Sequence, residues 1–201
     1  MIKSAVFISS VVDQDKLPKP LKPEYAFIGR SNVGKSSLIN MLTNLRKLAK
    51  VSNTPGKTRT INHFLIDDNW YLVDLPGFGY AKTSKTERSK WTGFTYEYLK
   101  TRDSLLCICV LIDIRLEPQK IDLDFMEWMG NEELPFAMIF TKADKLGKTV
   151  VQKNVAAYEK KMLETWEVMP PYIITSSETK QGKDELVKFI EKTNKLFFSG
   201  H

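Results

Sequence analysis

The chain has 201 residues, 42% of them hydrophobic and 27% charged, enough for one well-buried domain of ordinary soluble composition. No stretch approaches the roughly 20 apolar residues of a membrane span, and the apolar run after Lys3 is too short for a secretory core. The expectation is a cytoplasmic protein without a membrane contact. A net charge of +6 favours an acidic partner, nucleic acid being the commonest; a merely basic surface is the other reading.

In chain order, apolar runs alternate with amphipathic stretches, the pattern of an α/β fold with a largely parallel sheet. A first strand is predicted around residues 5–12. Lys16-Leu17-Pro18-Lys19-Pro20-Leu21-Lys22-Pro23 follows as a stiff basic lead-in, because each proline keeps the preceding residue out of the helical region. Residues 1–23 therefore read as an N-terminal extension and 24–201 as the main domain. Residues 24–28 form a core strand ending at Gly29, and Leu38, Ile39 and Leu42 give 36–43 helical spacing. Strands at 60–66 and 70–74 are joined by Asp67-Asp68-Asn69, short enough to imply an antiparallel pair. A helix follows at 86–102, weakened by Gly93. Strands at 105–113 and 136–141 flank a helix at 122–129. A helix at 150–166, a strand at 172–175 and a helix at 184–198 complete the chain. The count is about six mostly parallel strands with one antiparallel, helices on both faces, plus the N-terminal strand. Cys107 and Cys109 lie two apart on one strand face, poorly placed to bridge each other, and no nearby Cys or His completes a metal set; they read as core.

Gly29-Arg30-Ser31-Asn32-Val33-Gly34-Lys35-Ser36 fits Gly-x-x-x-x-Gly-Lys-Ser between a predicted strand and a predicted helix. Glycines allow tight backbone geometry, so successive N–H groups converge on phosphate oxygens at a helix N-terminus. Lys35 would reach the β- and γ-phosphates, and Ser36 would place its hydroxyl on Mg²⁺. Asp74-Leu75-Pro76-Gly77 closes the strand 70–74, where a carboxylate faces the ligand crevice. Asp74 would hold the metal through water, and the Gly77 N–H would meet the γ-phosphate.

Thr141-Lys142-Ala143-Asp144 closes the strand 136–141. A carboxylate there accepts both N1–H and N2–H₂ of guanine, a pair that adenine does not offer. Such a site rejects the wrong base by roughly 10⁴-fold, because buried polar groups would go unpaired. The Lys142 stem suits the purine face. Thr175-Ser176-Ser177 is either a backbone contact to the guanine O6 or a helix-entry cap.

Asn53-Thr54-Pro55-Gly56-Lys57-Thr58-Arg59-Thr60 suits a loop ordered by the γ-phosphate. Thr58 is the candidate second hydroxyl on Mg²⁺, with Thr54 and Thr60 as rivals. Ras-like GTPases carry a water-orienting Gln after the glycine of the metal motif; here Phe78 stands there, so unaided hydrolysis should be slow. Several GTPase families with Asn at the place of Asn32 use K⁺ in place of an arginine finger. Lys35, Asn32, Thr58 and Gly77 are thus the candidate catalytic groups, with Asn32 as a loop-stabilising side chain the alternative.

Gly-Arg-Ser-Asn-Val-Gly-Lys-Ser, Thr-Pro-Gly-Lys-Thr and Asp-Leu-Pro-Gly-Phe-Gly-Tyr-Ala, in that order, resemble the EngB (YihA/YsxC) family of bacterial ribosome-assembly GTPases, over residues 25–198. The resemblance implies a three-layer Ras-like P-loop GTPase fold, GTP or GDP with Mg²⁺, weak hydrolysis, and maturation of the large ribosomal subunit through rRNA and ribosomal proteins. It also implies a link to cell division and septation. Nucleotide contacts then fall on 29–36, 56–60, 74–77, 141–144 and 175–177, and metal ligands on Ser36 and Thr58. Thr175 departs from the Phe common in relatives, which should alter packing more than base choice. Era-like proteins append a KH domain and EngA-like proteins a second GTPase domain, and neither fits the length after Ser177. Lys82, Lys85, Arg88 and Lys90, with Tyr80 and Trp91, suit phosphate contacts and stacking on ribosomal RNA; a solvated helix face with Trp91 in the core is the other reading. The absence of a heptad repeat leans towards a monomer. Two other readings stand: an interaction protein that hardly hydrolyses GTP, and a metabolic P-loop enzyme.

Overall fold

The computed structural model describes residues 2–45, 60–78 and 85–199, with 85–92 as helical backbone alone. Seven strands form one sheet: β1 (Ala5–Val11), β2 (Glu24–Gly29), β3 (Ile61–Ile66), β4 (Trp70–Asp74), β5 (Leu105–Asp113), β6 (Phe136–Thr141) and β7 (Tyr172–Ile174), in spatial order β1-β3-β4-β2-β5-β6-β7. β2 is buried at all six positions and β5 at eight of nine, the continuous apolar pattern of strands covered on both faces. β3 runs against both of its neighbours, β1 and β4, and the remaining pairs are parallel. The Asp67-Asp68 turn explains this: both residues have positive φ (49° and 52°), and the Asn69 N–H donates to the Ile66 carbonyl at 2.9 Å.

The seventh strand is the N-terminal one, which lengthens the expected six-stranded sheet. Residues of the extension are built into the same sheet, and the Asp67 carboxylate accepts the N–H groups of Lys3 and Ser4 at 2.8 and 2.7 Å. The register of β1 shifts between Phe7 and Ser9, a bulge on an edge strand.

Among the described residues five α-helices cover the sheet: α1 (Lys35–Thr43), α2 (Lys85–Thr101), α3 (Lys120–Asn131), α4 (Lys148–Met162) and α5 (Lys183–Phe198). α1 and α5 bury Leu38, Ile39, Leu42, Leu186 and Ile190 against one face, together with Tyr25, Phe27 and both cysteines. α2, α3 and α4 bury Tyr98, Leu99, Phe125, Met126, Met129, Val155 and Tyr158 against the other. The result is three layers with two separate cores, and Cys107 and Cys109 are buried and unbridged in one of them. α2 continues through Gly93 because that position is exposed, with nothing near a would-be Cβ.

At the amino end of β2, Glu24 is fully buried and well partnered. The Tyr98 hydroxyl donates to it at 2.6 Å and Arg102 Nε at 3.0 Å, while Arg102 also donates to the Pro18 carbonyl at 2.6 Å. His63 Nε2 lies 3.6 Å away. Burial alone pushes the Glu24 carboxyl up, but His63, Arg102 and Tyr98 together outweigh it and bring it down to about 2. This knot joins the extension, β2, β3 and α2 at the end of the sheet remote from Gly29.

Candidate functional site

The parallel strands bring Gly29, Asp74, Asp113, Thr141 and Ile174 to one edge of the sheet, where the crevice of an open α/β fold lies. After Gly29 the chain makes a tight turn in which the Val33 N–H donates to the Arg30 carbonyl at 3.2 Å. Asn32 has φ 64°, a left-handed conformation that Asn tolerates better than most residues, so its residue type has a backbone reason. Gly34, with φ 104°, lies where an L side chain is strained. Lys35 and Ser36 open α1 without a side-chain cap, so the first-turn N–H groups point into the loop.

Lys35 Nζ is paired with Asp74 Oδ1, and both side chains are mostly buried. Asn62 Nδ2 approaches the other Asp74 oxygen at 3.5 Å. Past Leu75 and Pro76, Gly77 runs close against the phosphate loop: a Cβ there would come within 2.8 Å of the Gly29 carbonyl oxygen. Phe78 forms a β-bridge with Arg30, and its ring lies 4.7 Å from that of Phe125, which packs in turn on Trp128 and Tyr96. The residue in the place of the water-orienting Gln is therefore an anchor in an aromatic cluster of α2 and α3.

At the base end, the Thr141 hydroxyl donates to the Val33 carbonyl at 2.6 Å and Lys142 Nζ donates to the Asn32 carbonyl at 2.6 Å. The two motifs, more than a hundred residues apart in sequence, are thus stitched directly together. Ala143 N–H donates to the Thr175 carbonyl at 3.1 Å. The Ser176 hydroxyl donates to Asp144 Oδ1 at 2.6 Å, and Lys145 faces the other oxygen at 3.0 Å. The hydroxyl first and then Lys145 lower the Asp144 carboxyl, keeping it an ionised acceptor. Thr175-Ser176-Ser177 is not the entry to a helix: α5 begins at Lys183 after Gly182, and Ser176 Oγ accepts the Thr179 N–H at 3.1 Å inside the intervening turn. The Thr175 hydroxyl is spent on the Phe140 carbonyl at 2.8 Å, a packing role.

Gly56, Lys57, Thr58 and Arg59, with Tyr80 and Lys82, lie outside the described residues, as do the side chains of Lys85, Arg88, Lys90 and Trp91. Thr60 is described, its hydroxyl 3.1 Å from Asn62 Oδ1. Among the described residues no cluster of His, Cys, Asp and Glu could hold a metal by itself.

Sequence reasoning missed three charged groups. Asp113 accepts from Arg115 Nε at 2.9 Å and lies 2.9 Å from Lys142 Nζ, so it steers the lysine that bridges the two motifs. Burial raises its carboxyl, but Arg115 and Lys142 outweigh this and bring it down to about 2. Its place at the carboxyl end of a buried strand was the available signal. Asp122, in the first turn of α3, is fully buried 3.2 Å from Arg30 Nε. Lys183 caps the far end of α1 by donating to the Met41 carbonyl at 2.6 Å and Asn44 Oδ1 at 2.5 Å. Nothing in the spacing of the latter two marked them.

A strand–loop–helix phosphate loop, an aspartate ending the neighbouring strand and a Thr-Lys-Ala-Asp turn, at the ends of parallel strands of one sheet, define a P-loop GTPase domain. The family model described as a 50S ribosome-binding GTPase matches residues 24–142. A probable GTP-binding protein EngB of Flavobacterium johnsoniae is 54% identical over 201 residues, covering 100% of this chain and 96% of that protein. Its counterpart in Porphyromonas gingivalis is 54% identical over 193 residues, covering 96% of each. The chain belongs to the EngB family, within the TrmE-Era-EngA-YihA group, and it is a GTPase. The fold is shared with a crystal structure of a probable GTP-binding protein engB (TM-score 0.69, 23% identity, covering 86% of this chain and 98% of that one). It is shared also with Era in complex with MgGDPNP and a segment of 16S ribosomal RNA (TM-score 0.67, 22% identity, covering 85% and 56%).

Proposed function

We propose that the chain is a slow, nucleotide-gated switch that docks on the large ribosomal subunit or its precursor in the GTP form and leaves after hydrolysis. The observation that carries the gating half is the direct stitching of the guanine turn to the phosphate loop through Lys142 and Thr141. Base and phosphates then occupy one connected frame. The roles follow the chemistry: backbone N–H groups of 29–36 cradle the phosphates, Asp144 reads guanine, Lys142 covers the purine, and 175–177 border it. Residues 56–60 and 74–77 meet the γ-phosphate side.

The donor set fits Mg²⁺. Asp74 is a buried carboxylate whose charge is balanced by Lys35, and the hydroxyls of Ser36 and Thr58 are hard oxygen ligands. With a triphosphate bound, Lys35 would turn from Asp74 to the β,γ-oxygens, and Asp74 would hold the ion through water. Mg²⁺ supplies charge neutralisation at the phosphates. Hydrolysis is slow because Phe78 is committed to the aromatic cluster and offers no polar atom to water. A K⁺ ion at Asn32 is our proposed accelerator; identical turnover in potassium and sodium buffers would dismiss it.

The ribosomal half rests on the family description and on where the charge lies in the sequence. Residues 46–59 hold Arg46, Lys47, Lys50, Lys57 and Arg59 with no acidic residue, and 79–92 hold Lys82, Lys85, Arg88 and Lys90 against Glu87. Together these outweigh the entire net charge of +6, so the remainder is net acidic. Basic groups concentrated in the two sequence stretches that flank the Asp74 motif suit phosphate contacts on rRNA. The GTPase domain at 24–201, action as a monomer in the cytoplasm, and the link to division complete the proposal. No helix among the described residues is long and apolar enough to cross a membrane. The test is co-sedimentation with large subunits in GDP, in a non-hydrolysable GTP analogue, and with Asp144→Asn. Binding confined to the analogue supports gating, and equal binding in all three refutes it.

A further inference from the structure

Behind the phosphate loop, the buried Asp122 faces the half-buried Arg30 without completing a hydrogen bond. Asp122 of α3 is fully buried, and its carboxylate lies 3.2 Å from Arg30 Nε. Yet neither carboxylate oxygen nor that nitrogen makes a hydrogen bond among the described residues. The Tyr158 hydroxyl of α4, also buried, lacks one too. The contact is charge against charge in a low-dielectric setting, with the oxygens otherwise unsatisfied. Such a carboxylate disfavours folding, and burial pushes it up to about 6 despite the arginine. If packing alone mattered, a neutral residue of similar shape would serve the fold better.

Arg30 belongs to the phosphate loop, and on its other side it bridges Phe78, which rests on Phe125 one turn further along α3. α3 therefore grips the nucleotide site at two points, by charge at Arg30 and by packing at Phe78.

We propose that Asp122 is a positioning residue for nucleotide binding: acting through Arg30, its carboxylate holds the phosphate loop against α3 in the shape that receives the phosphates. The proposal rests on the nucleotide-binding reading of that loop. The charged and titratable groups facing Asp122 are Arg30 from the loop and Tyr158 from α4, with Asp113 at the end of β5 acting on the same tyrosine. On α3 itself, Lys120 and Asp124 pair with each other at the surface.

The test measures release of a fluorescent GDP analogue with Mg²⁺ from the full chain between pH 5 and 8, for the wild type and for Asp122→Asn, with melting of both proteins. Asn keeps the shape and removes the charge. At pH 7.5 the variant should release about tenfold faster, as expected for loss of one charge contact, while melting no lower than the wild type. The wild type should release faster as the pH falls through about 6, where the carboxylate is neutralised and Arg30 loses its hold. The variant should lack that component; the nucleotide's own phosphate titrates nearby, so the difference between the two profiles is what counts. Arg30→Lys, which keeps the charge but loses the fork, should fall between them. Equal release at pH 7.5, or parallel profiles in wild type and variant, would overturn the proposal. A wild type that binds no guanine nucleotide would instead defeat the reading of the loop itself.

Discussion

Two fully buried carboxylates face arginines at opposite ends of the sheet, and they differ in almost every consequence. Glu24, at the amino end of β2, accepts from Tyr98 and Arg102 and is brought down to about 2. Asp122, behind the phosphate loop, has an arginine at 3.2 Å but no completed hydrogen bond, and is pushed up to about 6. Burial is common to both; satisfaction of the lone pairs decides the sign. The first carboxylate belongs to a knot that holds elements together. The second retains a cost to the fold at the place where the fold meets its ligand.

The comparison breaks most visibly at Glu24. Glu24→Gln should destabilise the chain by about 3–5 kcal/mol at pH 7, because the Arg102 guanidinium loses its carboxylate and keeps only the Pro18 carbonyl, and urea denaturation reads this directly. Nucleotide release at 25 °C should be unchanged, since the knot is remote from Gly29. The acid limb comes next. The folded Glu24 carboxyl lies below its unfolded value of about 4.5, so its contribution is complete above that pH and disappears as the pH falls towards 2. Denaturation at stepped pH should show about 3 kcal/mol lost across that window in the wild type and less in Glu24→Gln. Asp122 works in the opposite sense. Its folded value lies above the unfolded one, so the fold gains as the pH falls from about 6 to 4. Asp122→Asn should therefore be more stable by about 2 kcal/mol at pH 7.5 and indistinguishable near pH 4. The smallest effect lies in α2, which supplies Tyr98 to Glu24 and Tyr96 to the aromatic cluster around Phe125. Gly93→Ala, at an exposed position with open space around it, should add about 0.5–1 kcal/mol by thermal melting without altering nucleotide release.

What could be read in the chain beforehand was what lies close together in it. The phosphate loop, the Asp74 motif and the Thr141–Asp144 turn are local patterns bounded by strands, and the α/β alternation gave the layers. The N-terminal strand was harder, because its Val6, Phe7 and Ile8 are exposed on an edge and follow no alternating pattern. The stitches between motifs had no sequence signal: Lys142 finds the Asn32 carbonyl only because β6 and β2 flank β5. Asp122 and Lys183 carry no sequence signal, since three-dimensional packing alone buries them. Phe78 stood out by its position in the Asp74 motif, but its partner Phe125 lies 47 positions further on and could not be paired with it.

The central claim is that one frame reads the base at one end and holds the phosphates at the other, with Asp144 as the reader. Calorimetric titration of the wild type and Asp144→Asn with GDP and with ADP, in Mg²⁺, tests it most directly. The wild type should prefer GDP by roughly 10⁴-fold and the variant should lose nearly all of that preference while still folding. Equal affinity of the wild type for the two nucleotides, or an unchanged preference in the variant, would contradict the account.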